Sequence, residues 1–329
     1  MTEGPLVIAT SGGPDSLALA VAAIDVGTRW GMEVHTVTVD HGLRAESGQE
    51  ASEVAALCER LGAHAHLLRV QVGHVGGPEG AARQARRAAL IQAAEEISAR
   101  RCSVGGDVPV LLGHTQDDQA ETVLLRLARG AGAHSLRAMD PVSRWCTGVL
   151  AVRPLLSVRR TDTHAACAQW HLAAVCDPTN FADGPWRAAD GSALRRAAVR
   201  EYALPALAKA LGVDPVPALA RSAQLLARDD DALETQALEA LSGVLEGAST
   251  IRLRIEEIPA QPAIRDRVLW LAALRAGARA SDLSAQHVFA LSSLVTHWHG
   301  QGPVPLPGGV RAARKKSLLE FYYAEGESL

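Results

Sequence analysis

Two groups of residues have the types and spacing for chemistry. Ser11-Gly12-Gly13-Pro14-Asp15-Ser16 directly follows an apolar run and opens an Ala/Leu-rich stretch. Paired glycines let the backbone turn its N–H groups toward one point, and a helix N-terminus adds a favourable partial charge, so the string reads as a phosphate cradle. The second group is Asp117, Asp118 and Glu121 just after His114, with Asp117 and Glu121 one helical turn apart on a shared face. Dipole capping accounts for one such acid. Three of them beside a histidine exceed what a cap needs and suit a divalent cation or an ammonium group. Asp40 ends another apolar run, where it either meets a bound nucleotide or bonds its own backbone through Asp-His-Gly.

Composition removes several alternatives. Of 33 Lys and Arg residues only Lys209, Lys315 and Lys316 are lysines, so the first 208 residues contain none. That excludes a G-x-x-x-x-G-K-[ST] phosphate loop and Schiff-base chemistry in this region. The cysteines Cys58, Cys102, Cys146, Cys167 and Cys176 form no C-x-x-C pair for zinc, a cluster or a redox couple. With a net charge of −3 the chain is not globally basic, and any grip on nucleic acid must come from local patches. Candidates are Arg153-Arg159-Arg160, Arg195-Arg196-Arg200 and Arg311-Arg314-Lys315-Lys316. No apolar run reaches the roughly 18 residues of a membrane span, and Met1-Thr2-Glu3 lacks a basic leader, so a cytoplasmic protein without a membrane partner is expected.

The elements that must position these residues follow from periodicity. Short β-branched runs at 6–10, 33–40, 64–70, 108–115 and 149–155, with a weaker one at 173–176, alternate with amphipathic stretches at about 16–30, 50–61, 80–101, 117–129 and 161–171. This is the pattern of an α/β fold, a doubly wound and mostly parallel Rossmann-like sheet whose ligand crevice lies at the strands' carboxyl ends. Residues 178–193 lack periodicity and read as a mobile loop; helices then return at 194–211 and 217–246, followed by a strand at 251–258 and helices at 260–275 and 284–299. The expected division is a catalytic domain over 1–212 and a smaller, mostly helical domain over 213–329.

Ser-Gly-Gly-x-Asp-Ser after a first strand resembles the signature of the N-type ATP pyrophosphatases, the PP-loop superfamily. Further strings narrow the resemblance: Val39-Asp40-His41-Gly42-Leu43-Arg44, Glu79-x-x-Ala82-Arg83-x-x-Arg86, Gly113-His114-Thr115-x-Asp117-Asp118-Gln119-Ala120-Glu121-Thr122, Arg153-Pro154-Leu155-Leu156, Asp177-Pro178-Thr179-Asn180 and Leu306-Pro307-Gly308-Gly309. Together, over residues 6 to about 321, they resemble the tRNA(Ile)-lysidine synthetase family in its short form, which lacks an additional C-terminal domain.

The resemblance implies a ligase that uses ATP and Mg²⁺ to adenylate C2 of the wobble cytidine in an isoleucine tRNA with a CAU anticodon. The ε-amino group of free L-lysine then displaces AMP. Ser11, Gly12, Gly13, Pro14, Asp15, Ser16, Asp40 and His114 would meet ATP. Asp15, Asp117, Asp118 and Glu121 would form the catalytic acid set, with Asp117 and Glu121 as the Mg²⁺ ligands and the division of roles left open. Arg83, Arg86, Arg195, Arg196, Arg200, Arg311, Arg314, Lys315 and Lys316 would bind substrate or tRNA. A homodimer is left open. One departure stands out: where the family has Arg-Asn-x-x-Arg, this chain has Arg196-Ala197-Ala198-Val199-Arg200 after a long spacer. The rival readings are a tRNA-thiolating ATP pyrophosphatase, opposed by the missing C-x-x-C, and a catalytically inactive tRNA-binding homologue, opposed by the full acid set.

Overall fold

The computed structural model of the chain describes residues 4–42, 44–73, 77–100, 106–178, 181–188, 190–246 and 251–323. Leu43, Cys102, Thr179, Asn180 and the side chain of Glu79, all singled out above, lie outside the described residues. The chain separates into two compact units, residues 1–227 and 228–329.

The first unit carries strands β1 (Leu6–Thr10), β2 (Val34–Asp40), β3 (His64–Arg69), β4 (Val108–Leu111), β5 (Val142–Cys146) and β6 (Val149–Val152). Its helices are α1 (Pro14–Arg29), α2 (Ser47–Arg60), α3 (Gly77–Ala99), α4 (Gln116–Leu127), α5 (Ala133–Leu136) and α6 (Arg160–Gln169). The strands line up as β3-β2-β1-β4-β6-β5. All neighbours run parallel except the β5–β6 hairpin. Alternation along β1 sends Ile8 to one face, against residues of α1, α2 and α6, and Val7 and Ala9 to the other, against Leu90, Ala94 and Ile97 of α3. Leu17 and Leu90, each 1% exposed, contribute about 2 kcal/mol apiece by leaving water. Strand order reverses between β1 and β4, so the segments after these two strands flank the crevice of a doubly wound sheet.

Two local expectations change. The stretch 173–176 forms no strand; Val175 instead donates its N–H to Gly12 O at 2.9 Å, tying this segment to the glycine loop. The strand β5 appears where none was expected, because as an edge strand with Val142 52% exposed it needs no apolar signature. In the 178–193 segment, Arg187 and Ala193 form a bridge, and both Glu201 oxygens accept the Ala182 N–H at 3.2 Å.

The expected single helix over 194–211 is three pieces: α7 (Arg195–Ala198), a π-helical turn (Val199–Ala203) and α8 (Leu204–Leu211). Pro205 has no N–H to bond the carbonyl four residues back, and the backbone widens there. The next helix, α9 (Pro215–Val244), crosses the division between units. The first unit extends beyond residue 212 because Val216, Leu219 and Ala223 of α9 pack on Ala120 and Val123 of α4, on Ala138 and on Leu204.

The second unit holds β7 (Leu245–Glu246), β8 (Ile251–Arg254), β9 (Val304–Pro305), β10 (Val310–Lys315) and β11 (Leu318–Tyr323), with α10 (Pro262–Arg275) and α11 (Ala285–Thr296). Its sheet is antiparallel, in the order β7-β8-β11-β10-β9. Of this sheet the sequence pattern predicts one strand, over 251–258, whose first four residues form β8; the other four strands fall outside the expected mostly helical domain. The tail folds back at Lys316, which adopts φ 57°, and brings Leu319 and Phe321 onto Leu253, Leu269 and Leu291. Among the described residues no single helix is long and apolar enough to cross a membrane.

Candidate active site

The loop after β1 is built around Gly12, whose φ of 79° favours glycine. A Cβ there would also stand 2.7 Å from Val175 Cγ2 and 2.8 Å from Val54 Cγ2. Ser16 Oγ donates to Gly13 O at 2.9 Å and accepts the Ser11 N–H at 3.1 Å, fixing the loop's curl. Pro14 occupies the first turn of α1, so the unpaired N–H groups of that helix end face the crevice without a side-chain cap. From the other side comes Gly113, where a Cβ would meet Asp15 O and Ser16 Cα at 3.0 Å. Loop and β4 end thus share one wall of a cleft of about 710 Å³.

The acid set stands beside this loop, and it is paired. Asp118 is 7% exposed and Glu121 fully buried. Asp118 Oδ2 accepts the Thr115 N–H and hydroxyl, both at 2.8 Å, as a helix cap. Its Oδ1 accepts from Arg160 Nη2 at 2.9 Å. Glu121 Oε1 accepts from Arg160 Nη1 and Arg200 Nε, each at 2.8 Å. Asp15 accepts from Thr163 Oγ1 and, at 3.3 Å, from Arg160 Nε. Asp117 Oδ2 takes the Arg160 backbone N–H at 2.8 Å and Arg159 Nε at 3.1 Å. Arg196 lies 3.9 Å from both Asp118 and Glu121. Four carboxylates therefore face four guanidinium groups.

This pairing sets the local charge states. Burial works against the ionised form of Asp118, but the Arg160 charge and the Thr115 N–H overcome it and hold the carboxyl below its usual range. Arg160 is held above the ordinary arginine value despite burial, chiefly by Asp118 and Glu121. His114 behaves oppositely: burial pushes it down to about 4, with Arg153, Arg86 and Arg196 adding to the effect against the opposing charge of Asp118. His114 is a neutral imidazole at pH 7, and its buried Nδ1 has no hydrogen-bond partner. Arg86 lines the same cleft, has no ion pair or hydrogen bond among the described residues, and is pushed down first by burial and then by Arg83. A desolvated, unpaired guanidinium in a cleft is matched to an anion.

The remaining candidates are distributed differently. Asp40 accepts from the Gly42 N–H at 2.8 Å and Ser47 Oγ at 2.7 Å, with Arg69 3.7 Å away. Burial opposes these bonds, which nonetheless hold its carboxyl low. Its oxygens thus close the turn after β2. Arg83 and Arg200 line the cleft; Arg195 is exposed. Ala197, at the family's Asn position, is buried at 5% exposure, a site where a longer amide would need both room and partners. In the second unit Arg314 donates to Leu294 O and Val295 O at 3.1 Å and stacks on Trp298, while Lys315 pairs with Glu320 at 2.7 Å. Arg311 and Lys316 are exposed.

Sequence reasoning placed Arg159 and Arg160 in a nucleic-acid patch together with Arg153. In the structure Arg153 Nη1 bonds Asp140 O at 2.7 Å and Ser143 Oγ at 3.1 Å, and the other two turn to the acid set. Thr163, which bonds Asp15, was not singled out at all.

A doubly wound sheet with a lysine-free glycine loop at its switch point defines a PP-loop protein, and residues 1–205 match the family model described as a PP-loop domain. The tRNA(Ile)-lysidine synthase of Salinispora tropica is 47% identical over 96% of this chain and 90% of its own length. Those of Thermobifida fusca and Streptomyces coelicolor are each 45% identical, covering 95% and 97% of this chain and 90% and 86% of theirs. The chain belongs to the tRNA(Ile)-lysidine synthase family. Among solved structures, the U34-tRNA thiolase NcsA from Methanococcus maripaludis with its [4Fe-4S] cluster shares the fold, with a TM-score of 0.51 and 16% identity over 68% of this chain and 72% of that one.

Proposed function

We infer that this protein is an ATP-consuming ligase that forms a C–N bond between free lysine and the wobble cytidine of a CAU-anticodon isoleucine tRNA. The observation that carries the reading is the opening of the glycine loop, Arg86, Asp15, Asp118 and Arg160 onto one cleft. In the first step cytidine O2 attacks the α-phosphorus of ATP and pyrophosphate leaves. The helix-end N–H groups of the loop hold the departing β and γ phosphates, and Arg86 takes up the charge that develops on them. In the second step the lysine ε-amine bonds to C2, the C2–O bond to AMP breaks, and the amine gives up a proton.

Free lysine carries charges of both signs, and a cleft wall with Asp15 and Asp118 beside Arg160 and Arg200 offers a counter-charge to each. Asp118, held ionised, is a weak proton acceptor and is assigned to the ammonium. The released proton is assigned to Asp15. Glu121 has no surface in the cleft and acts by holding Arg160 and Arg200. Asp117 and Glu121 do not fit a protein-held Mg²⁺, because their oxygens are already taken by guanidinium and amide donors. Mg²⁺ enters this reading only as the counter-ion that ATP brings. Arg311 and Lys316 are the groups proposed to meet the tRNA backbone. Cytoplasmic location and a homodimer belong to the same reading.

The test is to incubate the protein with ATP, Mg²⁺, lysine and the CAU-anticodon tRNA, then digest the tRNA and weigh its nucleosides. A lysine-mass addition on the wobble cytidine is expected; an unmodified cytidine, or one carrying sulfur, defeats the proposal.

A further inference from the structure

Three histidines meet at the end of the sheet remote from the cleft. His35 is the second residue of β2, and His64 and His66 lie on the edge strand β3. In the parallel register His35 is the direct partner of His64, and Val37 that of His66. Side chains two apart on a strand share a face, so all three rings project on the same side of the sheet. His35 Nδ1 and His66 Nε2 stand 3.0 Å apart, and the His35 and His64 ring centroids are separated by 5.1 Å. Glu33 Oε1 lies 3.1 Å from His35 Nε2, off the N–H axis. His35 is 6% exposed, His66 half-buried and His64 exposed, which leaves one side open to solvent.

We propose that His35 Nδ1 and His66 Nε2 form a chelating site for a divalent late first-row transition metal, whose remaining positions face solvent. Metal–nitrogen bonds of about 2.1 Å to two atoms 3.0 Å apart subtend an angle of about 90°. That is the cis angle of the tetragonal and octahedral fields favoured by Ni²⁺ and Cu²⁺, and is tighter than a tetrahedral Zn²⁺ prefers. The Glu33 charge beside His35 Nε2 favours the tautomer with its proton on Nε2, which frees Nδ1 as a ligand. Binding shifts the His66 proton from Nε2 to Nδ1 and releases none.

The site's consequence is structural. β3 has only one neighbour in the sheet, and a metal bridging His35 and His66 would clip it to β2. His35 lies five positions before Asp40 on β2, roughly 16 Å at strand rise. Occupancy should leave lysidine formation unchanged.

The experiment titrates Ni²⁺ into the full chain by calorimetry and follows its melting temperature. The two exposed histidines at 297 and 299 are first removed as His297→Ala/His299→Ala. In that background one equivalent of Ni²⁺ should bind with a Kd in the micromolar range, and saturation should raise the melting temperature by a few degrees. Adding His66→Ala should weaken binding by on the order of ten-fold or more and abolish the thermal shift. Adding Glu33→Gln should weaken it on the order of ten-fold. Absent binding in the double variant, or binding indifferent to His66→Ala, overturns the proposal. If His66→Ala fails to fold, Cu²⁺ electron paramagnetic resonance of the double variant decides. Coupling to two or more imidazole nitrogens sustains the site, and coupling to one or none removes it.

Discussion

Glu121 Oε1 accepts hydrogen bonds from Arg160 and Arg200 at the same distance, 2.8 Å, from a carboxylate with no exposed surface. Removing its charge leaves two guanidinium groups facing each other in a largely dry setting. Glu121→Gln should therefore lower stability by about 3 kcal/mol in urea unfolding, since breaking one side of a buried pair costs more than the pair is worth. A loss below about 1 kcal/mol would mean that water already screens the network.

Asp15→Asn tests the assignment of the proton. Turnover with lysine should fall by about 100-fold or more, the usual scale for a lost general base, while the Kd for tRNA stays within a factor of two. Equal losses in both would place Asp15 in tRNA binding.

The glycine loop is intolerant of a single methyl group. Gly12→Ala imposes a left-handed φ on a residue with a Cβ and drives that Cβ into Val54 and Val175. The cost should be about 2–4 kcal/mol, combining backbone strain with overpacking. ATP binding measured by calorimetry should vanish with it.

His114 makes stability depend on pH in a known direction. Its folded pKa of about 4 lies below the unfolded value of 6.5, so the unfolded chain binds more protons between these limits. The contribution is complete above pH 6.5 and is lost as pH falls toward 4, by up to about 3 kcal/mol. Denaturant midpoints for His114→Gln should lose part of the wild-type slope across pH 6.5 to 4; an identical slope would locate the dependence elsewhere.

The basic cluster of the second unit separates into two kinds of residue. Removing Arg311 and Lys316 should weaken tRNA binding and flatten the plot of log K against log salt by about 1.4 for two lost phosphate contacts. Arg314→Ala should instead lower the melting temperature, because that side chain caps α11 at Leu294 and Val295. An unchanged salt slope in the first variant would remove this patch from tRNA binding.

What could be read from sequence was whatever has a local signature. The loop from Ser11 to Ser16 shows itself because glycines, a preceding apolar run and a following helix are contiguous. Asp117, Asp118 and Glu121 show themselves because helical spacing groups them. Arg160 does not: its partners Glu121 and Asp15 lie 39 and 145 positions away, so nothing nearby distinguishes it from a solvated arginine. The edge strand β5 escaped because one exposed face needs no apolar alternation. Of the second unit's sheet β8 was legible, while β7 and β9 escaped because they are two residues long each, too short to carry a period.

The π-helical turn between α7 and α8 has a consequence for how this sequence can change length. It holds one residue more than an α-helix would over the same rise, and Arg200 lies within it, one turn after Arg196. Deleting one residue of Val199–Ala203 would remove that extra residue and let the segment close into an ordinary helix with α7 and α8 still in phase, whereas deleting one from α8 would rotate everything before it by about 100°. Arg196 and Arg200 would then swing off Asp118 and Glu121 although neither had been replaced. Single deletions should thus be tolerated in the long spacer before Arg195 and within the five residues after Ala198, and forbidden in α8, a frame-like constraint set by helix geometry rather than by side-chain identity.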